Sequence, residues 1–244
     1  MSPMGGKHLD QAGALFLTEY LLERNEGASF MSGLGEDALR RLSSVGTHLT
    51  FERGETVFLQ GDTHKGIWII ESGRIRTFYV GPSGREITLA YWTPGHFVGG
   101  PEVFGRGRHI WSADAAEPAK ALFVTGTTLR GFVTEDPGIA LSLIEGLIAK
   151  GKTYSALIQM LGTRSVSERL EQFLLILAQT NGRPEGASVV IDRSITYEQI
   201  ATVVGATRQW VTKSLDRLEQ MGAIEITRQT IRIVDIDAMS LSAP

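Results

Sequence analysis

Glycine recurs at short intervals through the first half of the chain and separates short segments that are rich in β-branched and aromatic residues. Of the 28 glycines in the 244 residues, 22 lie in residues 1–146, without a Gly-X-Y period. Short segments separated by turn residues about every eight to twelve positions are typical of antiparallel rolls and barrels. We therefore predict a small antiparallel barrel or roll with strands at 55–59, 67–70, 74–80, 86–92, 111–115 and 120–125, a hairpin loop at 81–84, and helices at 15–24 and 36–43.

The composition excludes several classes of protein and site. The chain has no cysteine, which excludes disulfides, cysteine-ligated zinc and cysteine-ligated iron–sulfur clusters. The sequence contains no apolar run near the roughly 18–20 residues that span a bilayer. Asp10 and Glu19 interrupt the apolar N-terminal stretch, which disfavours a signal peptide, so we expect a cytoplasmic protein. A formal net charge of −3 disfavours a polybasic binder but leaves room for one local DNA contact.

A change of period marks the middle of the chain. Asp136-Pro137 is a favourable helix start. Side chains then recur at spacings of 4, 3, 4, 3 and 4 residues, at Leu143, Leu147, Lys150, Tyr154, Leu157 and Leu161. A heptad pattern of this length predicts a dimerisation helix with the four leucines as its seam, and a core helix that packs on its own roll is the alternative. Gly146 and Gly151 flank Lys150 and leave room beside its amine.

The last third of the chain predicts a winged helix-turn-helix. Residues 165–168 (Ser-Val-Ser-Glu) and 196–199 (Thr-Tyr-Glu-Gln) have the spacing of capping boxes, and a hinge is predicted just before the first, at 163–165. A loop is predicted at 181–186. Gly205 supplies a tight turn, and Thr207 can cap a second helix that runs to about residue 221. Residues 222–227 and 230–234 alternate as the two strands of a wing.

Polar side chains lie near the N-terminal end of that second helix, where a recognition helix meets base edges. Arg208 can pair with guanine and Gln209 with adenine, while Lys213 can reach a base or a phosphate. The predicted DNA-binding set is Thr196, Thr207, Arg208, Gln209, Thr212 and Lys213. Residues 164–244 hold 9 Lys and Arg against 10 Asp and Glu, so charge alone does not support DNA binding and a solvated helix face is the alternative.

This order of parts resembles the Crp–Fnr family of bacterial transcription regulators, and the most specific similarity lies in residues 195–224. The resemblance implies an α+β chain with an N-terminal antiparallel β-roll of the cyclic-nucleotide-binding, jelly-roll type, a long dimerisation helix and a C-terminal winged helix-turn-helix. The corresponding segments are 1–135, 136–163 and 164–244. It also implies a homodimer on palindromic double-stranded DNA, a small-molecule effector and contact with RNA polymerase, without a membrane. Gln209 stands where family members commonly have glutamate, which puts the family's half-site in doubt.

The effector site departs from the cyclic-AMP-binding members of that family. Their Phe-x-Gly-Glu-Leu becomes residues 97–101 (Phe-Val-Gly-Gly-Pro), with Gly100 in place of the glutamate. Their arginine motif becomes residues 110–113 (Ile-Trp-Ser-Ala), which contain no arginine. A cyclic nucleotide therefore stays an alternative effector. Haem on His96 or His109 is another, although loop or surface positions for these histidines disfavour it.

The remaining side chains resemble instead the branch of this family that senses aromatic acids, and this resemblance implies a small aromatic or organic acid as the effector, bound between the roll and the long helix. The predicted effector set is Tyr91, Trp92, Gly99, Gly100, Trp111, Lys150 and Tyr154. In this hypothesis the rings pack an aromatic ligand, and Lys150 pairs its carboxylate or phenolate. The alternative is that the aromatic residues are core and Lys150 extends to solvent.

Two rival classes are weaker. A cupin-like metal enzyme needs clustered histidines, which the sequence lacks, so we expect no enzyme and no metal site. The other rival is a ligand-binding module whose winged helix contacts protein instead of DNA.

Overall fold

The computed structural model describes residues 30–193 and 195–234 of the chain. The helix predicted at 15–24 lies outside these residues. The described chain divides into two compact units, of which one ends at Ser155 and the other begins at Ala156. This boundary falls inside the long central helix.

The first unit is an antiparallel β-roll made of two four-stranded sheets. Its strands are β1 Thr47–Phe51, β2 Thr56–Phe58, β3 Gly66–Ser72, β4 Ile75–Val80, β5 Glu86–Trp92, β6 Phe97–Val98, β7 Ser112–Ala115 and β8 Ala119–Thr125. One sheet has the order β1-β8-β3-β6 and the other β2-β7-β4-β5. The six predicted strands and the hairpin between β4 and β5 are confirmed. The strands β1 and β6 were not predicted. Strand β6 has only two residues, and the alternation of Leu49 and Phe51 with polar neighbours in β1 was overlooked.

Helices cover one face of the roll. They are α1 Glu36–Val45, α2 Gly126–Glu135 and α3 Pro137–Thr163. Buried side chains of these three helices and of the first sheet form one core cluster, which includes Leu42, Leu129, Ile139 and Leu143. Helix α1 confirms the prediction at 36–43, whereas α2 was not foreseen as a separate helix. The long helix begins at Pro137 as predicted, and the Asp136 carboxylate accepts a hydrogen bond from the Gly138 amide at 2.8 Å.

The second unit is a winged helix-turn-helix. After the end of α3 it contains α4 Val166–Asn181, β9 Gly182–Glu185, β10 Ser188–Asp192, α5 Tyr197–Val204, α6 Arg208–Gln220, β11 Ile224–Ile226 and β12 Thr230–Ile233. Its four strands form an antiparallel sheet in the order β11-β12-β10-β9. The predicted wing strands are confirmed, but the loop predicted at 181–186 is wrong, since most of it pairs with β10 as an additional strand.

Local sequence signals place the two helices of the motif. Both predicted capping boxes are present, at Ser165–Glu168 and at Thr196–Gln199. Gly205 ends α5 in the left-handed region (φ 66°), which glycine adopts without a steric penalty. Thr207 then caps α6 by accepting a hydrogen bond from the Trp210 amide at 3.2 Å. The tight turn fixes the position of the second helix relative to the first.

Candidate functional site

A buried lysine lies against the aromatic core of the roll. Lys150 on α3 is only 8% exposed, and its Nζ is 3.5 Å from the centroid of the Trp92 ring and 4.7 Å from that of Phe97. Burial lowers the pKa of Lys150 to about 7, because the charged amine loses its hydration. Among the residues that the structure describes, no carboxylate forms an ion pair with this amine. The alternative interpretation is therefore wrong in extending Lys150 to solvent, but it is right that the aromatic residues belong to the core of the roll, since Trp92 lies in that core and Trp111 and Tyr154 pack against it.

Tyr154 lies one helical turn further along the same face of α3. Its ring is 5.3 Å from that of Trp111 and 6.3 Å from that of Trp92. The phenol oxygen is buried and completes no hydrogen bond of ordinary geometry with the described residues. Burial raises the pKa of Tyr154, and the nearby Thr77 hydroxyl offsets this only in part. Thr77 also accepts a hydrogen bond from the Trp92 indole at 3.1 Å, which fixes the orientation of that ring.

His96 adds a third buried polar group. It precedes β6, and its ring centroid is 5.9 Å from that of Trp92. Burial lowers the pKa of His96, and the positive charge of Lys150 lowers it further. Its Nε2 is buried without a partner among the described residues. We call Trp92, His96, Phe97, Trp111, Lys150 and Tyr154 the Lys150 cluster. Its aromatic side chains surround the Lys150 amine and two polar groups, the Tyr154 hydroxyl and the His96 Nε2, whose hydrogen-bonding capacity is unused among the described residues. Such groups are costly unless a ligand pairs with them.

The structure brings together four of the seven predicted effector residues, namely Trp92, Trp111, Lys150 and Tyr154. Tyr91 is a correction, because neighbouring residues of a strand point to opposite faces of the sheet. Tyr91 pairs with Arg76, whose guanidinium binds Asp114 at 2.6 Å, whereas Trp92 pairs with Ile75 in the core between the sheets. Because side chains alternate between the two faces of a strand, the adjacent positions of Tyr91 and Trp92 already predict that only one of them faces the core between the sheets.

Gly99 and Gly100 have a structural reason of their own. Both have positive φ angles, of 105° and 87°. A Cβ at Gly99 would lie 2.9 Å from the carbonyl oxygen of Gly66, so this backbone packs too closely for a side chain. Their contact with an effector stays a prediction.

Phe97 and Thr77 were missed as site residues. Phe97 stands inside the family motif itself, and that position was a usable signal. Thr77 becomes relevant only through its cross-strand hydrogen bond, which no sequence pattern reveals.

His96 and His109 lie in loops, as expected, but both are buried instead of being at the surface. His64 and His109 are 3% and 4% exposed, and their rings are tilted against each other with centroids 4.3 Å apart. The Phe58 ring stacks on that of His109 at 4.0 Å. The pKa of His109 falls to about 4, first through burial and then through the neighbouring His64. Within the described residues no group of three or more His, Cys, Asp or Glu side chains could hold a metal ion.

The predicted dimer seam needs a correction. Leu143 is buried in the core cluster of the roll unit and Leu147 packs against it, so neither faces outward. Leu157 is buried as well. Four large apolar side chains of the same helix are instead 51–69% exposed, and they are Leu141, Ile144, Ile148 and Ile158. With exposed Gly151 and Ser155 between them, these positions continue the spacings of 3 and 4 residues. We call this set the exposed row.

The recognition helix α6 presents the predicted polar face. Arg208, Gln209 and Lys213 are exposed, while Val211 and Leu215 are fully buried on the opposite side. Neither Arg208 nor Lys213 forms an ion pair within the described part of the chain. Thr212 is half-buried, and its hydroxyl donates to the carbonyl of Arg208 at 3.1 Å. Free cations at the beginning of a helix match the place where recognition helices contact DNA.

The other arginines of this unit show why a plain count of charges misleads. Arg183 pairs with Asp192 at 2.9 Å, and Arg232 pairs with Glu185. Both pairs lie on the sheet that contains β9, β10 and β12. Asp192 and Glu185 are therefore occupied by arginines of the sheet, while the cations at the N-terminal end of α6 form no ion pair with the described residues.

Comparisons with known proteins agree with this architecture. Residues 48–136 match the family of cyclic nucleotide-binding domains, and residues 168–241 match the family of Crp-like helix-turn-helix domains. The CRP-like cAMP-activated global transcriptional regulator of Mycobacterium tuberculosis is 29% identical over 217 residues, which cover 88% of this chain and 96% of that protein. The global nitrogen regulator of Synechococcus elongatus is 29% identical over 192 residues, covering 78% and 86%.

Solved structures show the same fold. The c-di-GMP-responsive global regulator CLP of Xanthomonas campestris matches with a TM-score of 0.73 at 16% identity, over 82% of this chain and 99% of that chain. No helix among the described residues is long and apolar enough to cross a membrane.

A roll of the cyclic nucleotide-binding type together with a winged helix-turn-helix defines a transcription regulator with an effector-binding domain. The chain belongs to the Crp–Fnr family of DNA-binding transcription regulators. Its relatives are regulators and not enzymes, which confirms the prediction of a non-enzymatic role.

Proposed function

We propose that this protein is a homodimeric, sequence-specific transcription regulator whose effector is a small aromatic acid bound at the Lys150 cluster. The observation that carries the proposal is a buried amine on an aromatic wall without a described carboxylate partner. A buried charge is stable when a counter-ion and hydrogen bonds accompany it. An aromatic carboxylate supplies the counter-ion to Lys150, and its oxygens can accept a hydrogen bond from the Tyr154 hydroxyl. Its apolar ring can pack against Trp92 and Trp111.

Cyclic nucleotide is the second candidate, because residues 48–136 match that domain family and one relative is named as cAMP-activated. The residues present do not favour it. Gly100 stands in place of the glutamate of the family motif, and residues 110–113, which correspond to the family's arginine motif, contain no arginine. Arg108, the nearest guanidinium in the sequence, donates to the Gly61 carbonyl at 2.6 Å and is thereby engaged in holding a loop.

Haem has less support. His96 and His109 lie in separate clusters, and each packs against aromatic side chains.

The exposed row supports a dimer formed through α3. Leu141, Ile144 and Ile148 present apolar side chains at heptad spacing on the face opposite to the core. Such a face is stable in water when a second helix covers it, and two copies of the chain provide one. Gly151 and Ser155 continue the row with small side chains, which lets two helices approach closely near Lys150.

The same helix gives the effector a route to the dimer. Lys150 and Tyr154 face the roll, while Ile148 and Gly151 face outward on the same two turns. A ligand that changes how Lys150 packs on Trp92 shifts this stretch of helix, and therefore the register or rotation of the dimer. The effector then selects the dimer state whose recognition helices lie about 34 Å apart, one turn of DNA.

At the DNA, Arg208 and Gln209 read base edges and Lys213 contacts a base or a phosphate. The Thr207 hydroxyl accepts one hydrogen bond as a helix cap and keeps its proton for a phosphate oxygen. The Thr196 hydroxyl donates a hydrogen bond to the Gln199 side chain at 3.1 Å, so Thr196 can contact a DNA phosphate only when this hydrogen bond breaks. A regulator of this kind works in the cytoplasm and can contact RNA polymerase when bound beside a promoter.

Calorimetry in two buffers of different ionisation enthalpy tests the effector. At pH 8 an amine whose pKa is about 7 is mostly neutral, so ion-pair formation with benzoate or 4-hydroxybenzoate takes up about 0.9 proton. The isosteric Lys150→Met variant keeps the volume and loses the uptake. Binding of cAMP without binding of any aromatic acid, or acid binding that Lys150→Met leaves unchanged, would contradict the proposal.

A further inference from the structure

The Lys150 amine has the surroundings of a nucleophile as well as of a cation. It is buried in an aromatic environment, 3.5 Å from the Trp92 centroid, and no described carboxylate holds it in the charged form. Lysines that are desolvated in this way are activated for addition to carbonyl groups. The exposed Lys152, two residues further on the same helix, offers an internal comparison.

The difference in reactivity follows from the fraction of neutral amine. An ordinary lysine with a pKa near 10.4 is neutral in roughly one molecule in 2,500 at pH 7. Burial brings the pKa of Lys150 to about 7, so about half of this amine is neutral at the same pH. The supply of nucleophile is therefore about a thousandfold larger at Lys150 than at an ordinary lysine.

Two neighbouring groups can handle the protons of an addition. The Tyr154 hydroxyl, one turn along α3, and Nε2 of His96 are both buried without partners among the described residues. His96 lies close enough to Lys150 for the charge of the amine to lower the pKa of the imidazole. A donor and an acceptor thus lie around the same Trp92 ring as the amine, in a site from which bulk water is largely excluded.

We propose that Lys150 forms a reversible imine with small aromatic aldehydes at the same site as the aromatic acid, an inference that rests on the proposed effector site. The Lys150 nitrogen attacks the aldehyde carbon, a C–N bond forms, and the carbonyl π electrons move to oxygen, which takes a proton. The nitrogen loses both of its protons, one before and one after the C–O bond breaks, and the hydroxyl takes a second proton as it leaves as water. The nitrogen lone pair forms the C=N bond, so one amine and one aldehyde give one imine and one water without any oxidant or reductant. Trp92, Phe97 and Trp111 hold the aromatic ring of the aldehyde.

The test traps the imine in the wild-type protein. The full-length chain is incubated with benzaldehyde and sodium cyanoborohydride at pH 7, and the benzylated lysines are located by peptide mass mapping. Lys150 is expected to carry at least about tenfold more adduct than Lys152, since neutral amine is far more abundant there. For the pH profile the imine is trapped with a short borohydride pulse, because cyanoborohydride reduces imines poorly in alkaline solution. The rate at Lys150 is then expected to level off just above pH 7, while the rates at exposed lysines continue to rise toward pH 10. Adducts distributed by exposure alone, or an unmodified Lys150, would overturn the inference.

Two further outcomes separate this inference from the proposed function. If benzoate binds with proton uptake but benzaldehyde never labels Lys150, the imine is refuted and the acid site stands. If Lys150 is labelled and benzoate does not slow the labelling, the reactive amine stands and the acid effector is refuted. A Lys152→Arg variant, which removes the exposed neighbour, should label at Lys150 to the same extent as the wild type.

Discussion

Replacing Lys150 with methionine should stabilise the protein, because the native amine is buried at a thermodynamic cost. An ordinary lysine has a pKa near 10.4, and burial lowers that of Lys150 to about 7. At 1.36 kcal/mol per pKa unit the charged form costs about 4 kcal/mol at pH 7. The contact with Trp92 returns about 0.5–2 kcal/mol of cation–π energy. Methionine fills a similar volume without a charge, so we expect Lys150→Met to be more stable by about 2–4 kcal/mol.

The stability difference between the two proteins should depend on pH in a direction that the pKa shift fixes. The pKa of Lys150 is lower in the folded state, so the unfolded chain binds more protons between pH 7 and about 10.4, and wild-type stability rises over this window. Below pH 7 the full cost is present, and above about pH 10.4 it disappears. The advantage of Lys150→Met should therefore shrink from about 2–4 kcal/mol at pH 7 to below about 1 kcal/mol at pH 10.

Urea unfolding followed by tryptophan fluorescence measures this difference, since Trp68, Trp92 and Trp111 lie in the roll unit and only Trp210 lies outside it. Both proteins are compared at one concentration, because a dimer's stability depends on it. Lys152→Met is the matched control, and at this exposed position we expect a change within about 0.5 kcal/mol. A Lys150→Met protein that is less stable at pH 7, or a difference that is constant from pH 7 to 10, would refute the reasoning.

Three further predictions concern DNA, assembly and packing. In a fluorescence anisotropy assay with DNA selected from a random library, Arg208→Ala should weaken binding by about 1–3 kcal/mol and relax the specificity at one base position. Arg183→Ala removes an arginine that is already paired with a carboxylate and should bind like the wild type. Ile148→Glu places a charge on the exposed row and should convert the dimer to a folded monomer in sedimentation; an intact dimer would exclude this face. Gly146→Ala places a Cβ 2.7 Å from the Phe97 ring and should destabilise the folded protein by about 1–3 kcal/mol. Gly131→Ala, at an open helix position, should stabilise it by up to about 1 kcal/mol. Equal effects of the two variants on the melting temperature would contradict the packing around Gly146.

The β-roll and the winged helix were predictable because local signals agree with the tertiary structure. Glycine and hairpin residues punctuate strands whose alternate side chains face the core, and both capping boxes begin helices at the predicted residues. The additional strand β9 was not predictable in the same way. Its sequence, Gly-Arg-Pro-Glu, has the composition of a loop, and only pairing with β10 makes it a strand.

The phase of the long helix shows where periodicity stops being sufficient. Leu143 and Leu147 repeat every three or four residues, and so do Leu141, Ile144 and Ile148. A heptad pattern fits either row, and the choice depends on which face the roll covers, as the buried Leu143 shows. The sequence did group Lys150 and Tyr154 in one row with Leu143, but the structure was needed to show that this row faces the core and not a second helix.

The candidate site was predictable in its residues more than in its chemistry. Trp92, Trp111, Lys150 and Tyr154 were named from type and position, and the structure places them together. That His96 and Tyr154 are buried with unused hydrogen-bonding capacity depends on the packing of distant segments.

The central claim is that an aromatic acid at Lys150 controls DNA binding, and one titration tests it most directly. Fluorescence anisotropy of a library-selected DNA is measured for wild type and Lys150→Met, with and without saturating 4-hydroxybenzoate, at a fixed salt concentration. We predict that the acid changes the DNA affinity of the wild type at least about fivefold, the lower end of typical allosteric coupling, and leaves Lys150→Met unchanged. Equal responses in both proteins, or a response to cAMP alone, would contradict the account.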